Sequence, residues 1–304
     1  MSDYRFLIDE QLDGERLDKG LSLLTDDSFS RSFLQKLIKD KKVLVNDALQ
    51  KASYILREDD EVYFEAPECE IAQILPQDIK LDILYEDNDV IVVNKPKNMV
   101  VHPAPGHMKD TLVNALMYHC AGSLSGINGV LRPGIVHRID KDTTGSVIAC
   151  KNDAAHNNIA IQLKEHTINR RYRALVHGIV KNDEGTISTL IGRDPKDRKK
   201  MSARVSDGKS AVTHYKVLER FKDYTYIECR LETGRTHQIR VHMAYIGHPL
   251  VGDMIYGNRK NPFGIDTQCL HAYILGFDQP TTGEYIETCA PLPYYFKYLL
   301  EKLG

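Results

Sequence analysis

Side chains able to do chemistry are concentrated in three short segments of this 304-residue chain. The first, GIVHRIDKDTTG (residues 134–145), follows an apolar run that resembles the end of a buried strand and carries Arg138, Asp140 and Asp142. A carboxylate held ionised by a nearby cation can act as a nucleophile or a base, and loop residues on a rigid strand are favoured catalytic positions. The competing interpretation is that Asp140 is a turn residue that hydrogen-bonds its own backbone.

The second segment, INRRYRALVHG (residues 168–178), contributes an aromatic ring. Its alternation predicts a strand with Tyr172 facing the core and Arg171 and Arg173 on the opposite face. A half-buried tyrosine is usually core packing with a satisfied hydroxyl, but its ring can equally be a platform on which a nucleobase stacks. Both interpretations of Tyr172 stay open at this point.

The third segment, LETGRTHQIRVHMAYIGHPLVGD (residues 231–253), predicts a strand, a turn that carries Arg235, and a helix. We expect Thr236 to cap that helix and Gly247 to end it. His237 and His242 are five residues apart, which is not the i, i+4 spacing of a two-histidine metal site. We therefore expect no zinc here.

The elements that must position these segments predict an α+β fold. Beyond residue 80, strand-like segments dominate, and helices are expected after Asp110, around Ile159 and Leu163, and after Thr236. Their irregular order argues for an α+β sheet protein rather than a doubly wound repeat. The chain has no GxGxxG and no GxxxxGK[ST] motif, so we expect no nucleotide cofactor.

The first 70 residues predict a separate small α/β unit. We expect Asp13 to cap a helix through Leu17, Leu21 and Leu24, and Ser30 to cap a second helix whose apolar face lies opposite its basic residues. A strand with Val43 and Val45, a turn at Asn46 and Asp47, and a strand with Val62 and Phe64 follow. We predict domains at residues 1–70 and 81–304, joined by a linker at residues 71–80.

The overall composition does not indicate a functional class, but the positions of the basic residues along the chain do. The formal net charge is −2, but the second helix and its exit concentrate positive charge, as does the run from Arg193 to Lys209. Such segregated patches can hold a polyanion, although either one alone could be a solvated face. The six cysteines are scattered without a CxxC pair, so we expect reduced, buried thiols. The chain lacks a signal-peptide pattern and a long apolar stretch, so we expect a cytoplasmic protein without membrane contact.

The motifs HRIDKDTTG, RRYRALV and TGRTHQIRVH, preceded by VVNKPKNMVVHPAPG, closely resemble the RluA family of pseudouridine synthases. The resemblance runs from about residue 80 to APLPYYF near the C-terminus. It implies the pseudouridine synthase fold, a mixed, mainly antiparallel sheet with flanking helices and a central cleft. The usual family form HRLDxxTSG is changed only at Ile139 and Thr144, which keep shape and polarity. RLDKGL, SRSFLQKLIKDKKVLVN and EDDEV in turn resemble an S4 RNA-binding domain, a frequent N-terminal companion in that family.

The resemblance implies a role for individual residues. Asp140 matches the catalytic aspartate, Tyr172 the tyrosine that packs on the target base, and Arg235 the arginine that pairs with the catalytic carboxylate. Arg138 matches the arginine that fills the gap left by the flipped nucleotide, whereas Asp142 is expected only to shape the turn and His137 to be structural. The S4 resemblance implies that five basic residues face RNA phosphates. These are Arg31, Lys36, Lys39, Lys41 and Lys42.

The implied reaction is an isomerisation that breaks the N1–C1′ bond of uridine, rotates the uracil and rejoins it through C5. It loses no electrons and uses no water, so no redox cofactor, ATP or metal is expected. A stacked uridine must first be extruded from the RNA, which costs a few kcal/mol. Whether Asp140 attacks C6 or C1′ or abstracts a ribose proton stays open.

Within the family, the S4 domain tends to accompany enzymes that act on large-subunit ribosomal RNA, which favours 23S rRNA, with tRNA as the alternative. We expect a monomeric RNA-binding isomerase. A non-catalytic RNA-binding or ribosome-assembly factor would have lost Asp140, Tyr172 or Arg235, and all three are present. A nucleoside or glycoside hydrolase would show two cooperating carboxylates, whereas only Asp140 has a motif behind it.

Overall fold

A computed structural model describes residues 2–25, 29, 31–66, 74–103, 107–127, 129, 132–197, 200–257, 263–265 and 267–304. The chain divides into two compact units, Met1–Gln73 and Ile74–Gly304. The division falls inside the predicted linker at residues 71–80. Among the described residues, no helix is long and apolar enough to cross a membrane.

The N-terminal unit packs two helices on a four-stranded antiparallel sheet with the order β1-β4-β2-β3. Its elements are β1 (Ser2–Leu7), α1 (Leu17–Leu24), α2 (Arg31–Lys39), β2 (Val43–Val45), β3 (Ala48–Leu49) and β4 (Glu61–Ala66). The predicted inward residues of the strands are buried, among them Val43, Val45 and Phe64. Asn46 and Asp47 both adopt positive φ in the predicted turn. The period-2 and period-3.6 patterns thus predict this unit well.

The predicted cap of α1 is wrong. The cap position of α1 is Arg16, and Asp13 instead accepts the backbone N–H of Glu58 at 3.2 Å. Asp13 lies too far before the first helical turn to reach its free N–H groups, so it closes a contact with a distant loop. Ser30, the predicted cap of α2, lies outside the described residues.

A buried carboxylate joins the two helices of this unit. The side chain of Asp18 is fully buried and accepts hydrogen bonds from Arg16 at 3.0 Å, Arg31 at 2.9 Å and Gln35 at 2.7 Å. Burial raises the pKa of Asp18, but the hydrogen bonds from Arg16, Gln35 and Arg31 outweigh it and lower the pKa to about 2. Arg31, which the sequence predicts to face RNA phosphates, therefore forms an ion pair with an internal carboxylate.

The C-terminal unit is built on a ten-stranded mixed sheet within the described residues, with the order β10-β9-β11-β12-β8-β13-β7-β6-β5 and β14 paired to β13. Its strands are β5 (Ile83–Glu86), β6 (Val90–Lys95), β7 (Thr144–Cys150), β8 (Asn169–His177), β9 (Glu184–Arg193), β10 (Met201–Ser202), β11 (Lys209–Arg220), β12 (Tyr224–Leu231), β13 (Leu270–Asp278) and β14 (Tyr285–Cys289). The β7–β13 pairing is parallel, and the other pairings are antiparallel. This confirms the predicted α+β class.

Four helices accompany the sheet in the described residues. They are α3 (Leu112–His119), α4 (Asp153–Lys164), α5 (Gln238–Tyr245) and α6 (Tyr294–Leu303). The first three occupy the predicted places, and Gly247 follows α5 with φ of 87°. The cap of α5 differs from the prediction, because the cap position is His237 in a left-handed conformation and not Thr236. That shift turns the His237 ring toward the site described below.

The apolar run before Asp140 is not the strand that the sequence predicts. Ile135 forms a single bridge to Ala149, and β7 begins only at Thr144, after the reactive segment. Gly134 has φ of 72° and lies against the carbonyl of Cys150, which turns the chain out of extended pairing. Asp140 therefore lies in a loop that leads into a fully buried strand.

The thiols follow the expectation of burial with one exception. Cys120, Cys150, Cys229 and Cys269 are buried, whereas Cys289 is exposed on β14. Cys69 lies outside the described residues.

The Asp18 cluster predicts a pH-dependent contribution to the stability of the N-terminal unit. The unfolded carboxyl has a pKa of 3.8 and the folded one a pKa of about 2, so the contribution is full above about pH 4 and is lost as the pH falls toward 2. Asp18→Asn is expected to lower the free energy of unfolding by about 2 kcal/mol at neutral pH. Urea denaturation between pH 2 and 7 measures both effects.

The exposed Asp40 supplies the control for this experiment. Asp40→Asn should leave the free energy of unfolding unchanged at each pH. A loss in Asp18→Asn that stays constant down to pH 2 would contradict the role given to the ionised carboxylate.

Candidate active site

All three reactive segments line one cavity of about 570 Å³ in the C-terminal unit. Its wall includes Arg138, Asp140, Arg170, Tyr172, Arg235, His237 and Arg240. The loop before β7, strand β8, the turn between β12 and α5, and α5 itself supply these side chains. The sheet thus brings together residues that are a hundred positions apart in the sequence.

Asp140 is held by a short ion pair with Arg240. The Nη1 of Arg240 donates to Oδ2 of Asp140 at 2.8 Å, and about a fifth of the Asp140 side chain is exposed to the cavity. A guanidinium this close stabilises the charged form of a carboxylate. Asp140 is therefore presented to the cavity as an anion with one oxygen, Oδ2, occupied by Arg240.

Arg240 is in turn clamped from behind by Asp253. Its Nε donates to Oδ2 of Asp253 at 2.7 Å and its Nη2 to Oδ1 at 3.0 Å, and both side chains are buried. Burial lowers the pKa of Arg240, but the hydrogen bonds and charges of Asp253 and Asp140 outweigh it and raise the pKa. Asp253 also accepts the backbone N–H groups of Ile255 and Tyr256. The bidentate geometry fixes the direction in which Arg240 points.

The predicted pairing of Arg235 with Asp140 is wrong. Arg235 lines the same cavity, but its Nε donates to the carbonyl of Ser210 at 2.9 Å. Arg235 lies before α5, whereas Arg240 lies inside the helix on a stretch that is buried from Gln238 to Met243. A signal was available in the sequence, since an arginine between Ile239 and Val241 is unusual in a buried helix unless a carboxylate accompanies it.

His237 approaches the other oxygen of Asp140. Its Nε2 lies 3.8 Å from Oδ1 of Asp140, and its Nδ1 lies 2.9 Å from the hydroxyl of Tyr256. That hydroxyl accepts the backbone N–H of Met201 at 2.8 Å, so its own proton is available to Nδ1. Burial lowers the pKa of His237, against an opposing effect of Asp140. The left-handed backbone at His237 is a strained conformation of the kind that clusters at functional sites.

Tyr172 and Arg170 form the floor contributed by β8. Both are 7% exposed, and the alternation of the strand places them on one face, as predicted for Tyr172. Burial raises the pKa of the Tyr172 hydroxyl. The ring is therefore a neutral, flat wall of the cavity.

The remaining residues of the first segment lie in three different environments. Arg138 is exposed and lines the cavity. His137 accepts the backbone N–H of Ile148 at 3.1 Å through Nε2, which is the structural role expected for it. Burial, with the charge of Arg170, lowers the pKa of His137 to about 3. Asp142 occupies a turn, as predicted.

Lys95 anchors the loop that carries Asp140, and the sequence did not single it out. Its buried Nζ donates to the carbonyls of Pro96 at 2.8 Å, Met99 at 2.9 Å and Lys141 at 2.9 Å. Burial lowers the pKa of Lys95 to about 7, against the opposing charges of Asp142 and Asp140. Three donated hydrogen bonds require the ammonium form. Lys95 thus links the end of β6 to the residue next to Asp140.

The two arginines predict different effects on stability. Arg240→Met removes the shared partner of two carboxylates, one of them fully buried, so we expect a loss of about 3–5 kcal/mol in the free energy of unfolding. Arg235→Met removes one hydrogen bond to a carbonyl and should cost about 1 kcal/mol or less. Chemical denaturation of the two variants measures the contrast, and equal losses would contradict the assignment of Arg240 as the internal cation.

Comparison with known proteins finds relatives that match nearly the whole chain. A family model described as RNA pseudouridylate synthase matches residues 89–245. The uncharacterized RNA pseudouridine synthase YlyB of Bacillus subtilis is 55% identical over 294 residues, which cover 97% of this chain and 96% of that protein. The ribosomal large subunit pseudouridine synthase D of Zymomonas mobilis is 45% identical over 306 residues, covering 97% and 95%.

A solved structure is similar as well. Human RNA Pseudouridylate Synthase Domain Containing 1 superimposes with a TM-score of 0.58 at 28% identity, covering 74% of this chain and 94% of that chain. The family model spans the loop of Asp140, the strand of Tyr172 and the helix of Arg240. The chain therefore belongs to the RNA pseudouridylate synthase family, as an isomerase of the RluA type.

Proposed function

We propose that this enzyme forms pseudouridine in the RNA of the large ribosomal subunit, with Asp140 as its catalytic carboxylate. One observation carries the assignment of Asp140: it is the carboxylate in the cavity that is paired with a buried guanidinium and still partly open to the cavity. The substrate proposal is supported by relatives named ribosomal large subunit pseudouridine synthase D, which are 40–46% identical over nearly the whole chain.

The geometry of Asp140 suits a group that must be ionised and well oriented. Arg240 occupies Oδ2, so Oδ1 is the oxygen available to attack the substrate or to take a proton. Asp253 holds Arg240 in place, so the carboxylate does not have to reorganise during the reaction. Preorganised charge of this kind is a main source of rate enhancement in enzymes.

The ring of Tyr172 is positioned to form a wall against which the detached uracil can pack. Its ring is buried at the cavity and lies on the same sheet that leads to Asp140 through β13 and β7. A flat aromatic surface holds a free base by stacking at any rotation angle. That property suits a reaction in which the uracil must turn before it is rejoined through C5.

Arg138 is the candidate for the position vacated by the flipped nucleotide. It is exposed, two residues before Asp140, and lines the same cavity. A guanidinium plane can stack between bases and bind phosphate. Arg138 thus connects the flipped uridine to the RNA strand that it left.

The N-terminal unit is proposed as the S4-type RNA-binding module. Lys36, Lys39, Lys41 and Lys42 are exposed at α2 and its exit. Arg31 differs from them because its guanidinium is fixed on Asp18, a carboxylate that it shares with Arg16. We therefore assign phosphate binding to the four lysines and a structural role to Arg31.

The catalytic proposal predicts the behaviour of Asp140→Asn. The amide cannot act as a nucleophile or base, so pseudouridine formation should fall below detection while RNA binding changes by only a few fold. Mapping of pseudouridines in cellular RNA, with the wild-type enzyme, the variant or no enzyme, measures activity and identifies the substrate together.

Asp142→Asn is the control, since Asp142 occupies the turn and should be replaceable. Turnover of Asp140→Asn near the wild-type level would refute the catalytic assignment. Enzyme-dependent sites found in tRNA rather than 23S rRNA would refute the substrate and leave the assignment of Asp140 intact.

The module proposal predicts a change in the salt dependence of RNA binding. Replacing Lys36, Lys39 and Lys42 with Ala should weaken binding and reduce the slope of log K against log salt by about 0.7–0.9 per charge. Lys51→Ala, in the same unit and also exposed, is the control and should leave the slope unchanged. Equal effects per charge in both variants would contradict a defined RNA surface on α2.

A further inference from the structure

Arg170 is a buried cation of the active cavity that the mechanism above does not use. It precedes Tyr172 by two residues on β8 and lies on the same face of the strand. Because a strand rises about 3.3 Å per residue, the two side chains are about 7 Å apart. A uracil packed on the Tyr172 ring therefore lies within reach of the Arg170 guanidinium.

The guanidinium of Arg170 lacks a carboxylate partner. Among the residues that the structure describes, its one hydrogen bond runs from Nη2 to the carbonyl of Glu232 at 2.9 Å, and its buried Nε has no partner. It is 7% exposed, and none of the ion pairs within 4.0 Å among the described residues includes Arg170. A buried charge without a counter-ion is costly, and an anion bound in the cavity would offset that cost.

The other described cations of the cavity are either paired with carboxylates or exposed to solvent. Arg240 is shared by two carboxylates, so Asp140, Arg240 and Asp253 together carry a net negative charge. Arg138 and Lys164 are exposed and Arg235 is partly exposed to solvent. Of the two buried cations that line the cavity, Arg170 is the one whose charge is not already neutralised.

The turn before α5 is shaped to accept Arg170. A Cβ atom at Gly234 would lie 3.0 Å from Nη1 of Arg170. Glycine at this position lets the guanidinium lie directly against the turn that contributes Arg235 and His237 to the cavity wall. The cation is thereby held in one place before substrate enters.

The reaction creates an anion that matches this cation. When the N1–C1′ bond breaks, its electron pair stays on the uracil, and the negative charge spreads over N1, O2 and O4. The ring turns, C5 forms the new bond to C1′ with electrons of the uracil itself, C5 loses its proton and N1 gains one. No electrons enter or leave: Asp140 gives up its negative charge when it bonds to carbon or takes a proton, and the detached uracil then carries that charge until the new bond forms and Asp140 is restored.

We propose that Arg170 is a further catalytic residue, whose guanidinium donates hydrogen bonds to a carbonyl oxygen of the detached uracil and stabilises its negative charge. The proposal rests on the proposed function, because it assigns Arg170 to one step of that reaction. The planar fork of N–H groups suits an oxygen that gains charge in the transition state.

Arg170→Met keeps the length of the apolar stem and removes the charge. Loss of a single preorganised donor of this kind lowers kcat by about 10²–10³-fold, and the KM for the RNA should change by no more than a few fold. Arg170→Lys keeps the charge without the fork and should recover part of kcat. Steady-state assays on an RNA that carries the site found by pseudouridine mapping measure kcat and KM for both variants.

A substrate with a more stable leaving anion separates this role from a structural one. Fluorine at C5 withdraws electrons and stabilises the uracil anion, so RNA with 5-fluorouridine at the target site depends less on Arg170. Consumption of 5-fluorouridine by Arg170→Met should show a smaller defect, relative to wild type, than consumption of uridine. A merely structural defect would reduce both rates by the same factor.

His137 reports on the folded site without any substrate. Burial and then the charge of Arg170 lower its pKa to about 3, so NMR titration should show a higher pKa in Arg170→Met and little change in Arg170→Lys. Should Arg170→Met fail to fold, the ratio of the uridine and 5-fluorouridine rates in Arg170→Lys decides the question.

Three outcomes would overturn the role of Arg170: a wild-type kcat in Arg170→Met, a defect confined to KM, or equal defects on the two substrates. None of them affects the proposed function, which fails separately if the wild-type enzyme forms no pseudouridine or Asp140→Asn stays active.

Discussion

The active site depends on one buried guanidinium that two carboxylates share. Arg240 lies in the first turn of α5 and binds Asp253 with two hydrogen bonds and Asp140 with a third. Asp253 is fully buried and provides the counter-ion that stabilises Arg240 in the interior. Asp140 stays partly open to the cavity. A reactive carboxylate needs this asymmetry: one oxygen is fixed by the protein and the other can meet the substrate.

The sheet makes this arrangement possible because it aligns elements from distant parts of the chain. β13 lies between β7 and β8, so the loop that enters β7 with Asp140 comes close to the face of β8 that carries Arg170 and Tyr172. Lys95 at the end of β6 then fixes that loop through the carbonyl of Lys141. The cavity thus holds an anionic group at Asp140 and a buried cation at Arg170 that pairs with no carboxylate in the described part of the chain. A reaction that separates and rejoins charge within one substrate suits such a surface.

In the N-terminal unit, the basic residues of one run lie in two different environments. Arg31 belongs to the run by sequence, yet its guanidinium binds the buried carboxylate of Asp18 and joins α1 to α2. The lysines that follow remain exposed at α2 and its exit. A charge count along the sequence cannot separate these two cases, because the distinction depends on which residues another helix brings near.

The sequence by itself determined the period-2 strands, most helices, the α+β class and the segments that meet at the cavity, because backbone patterning and motif chemistry are local. It also singled out Asp140 and Tyr172, because the sequence around each of them predicts its local structure: a turn for Asp140 and an alternating strand for Tyr172. Only the tertiary structure decided that Arg240 and not Arg235 reaches Asp140, that His237 replaces Thr236 at the start of α5, and that Lys95 and Asp253 support the site. These contacts join residues far apart in the chain, where a one-residue change in helix start decides which side chain points inward. That no described carboxylate pairs with Arg170 is likewise a property of packing, since it depends on the neighbours that the fold brings to the cavity.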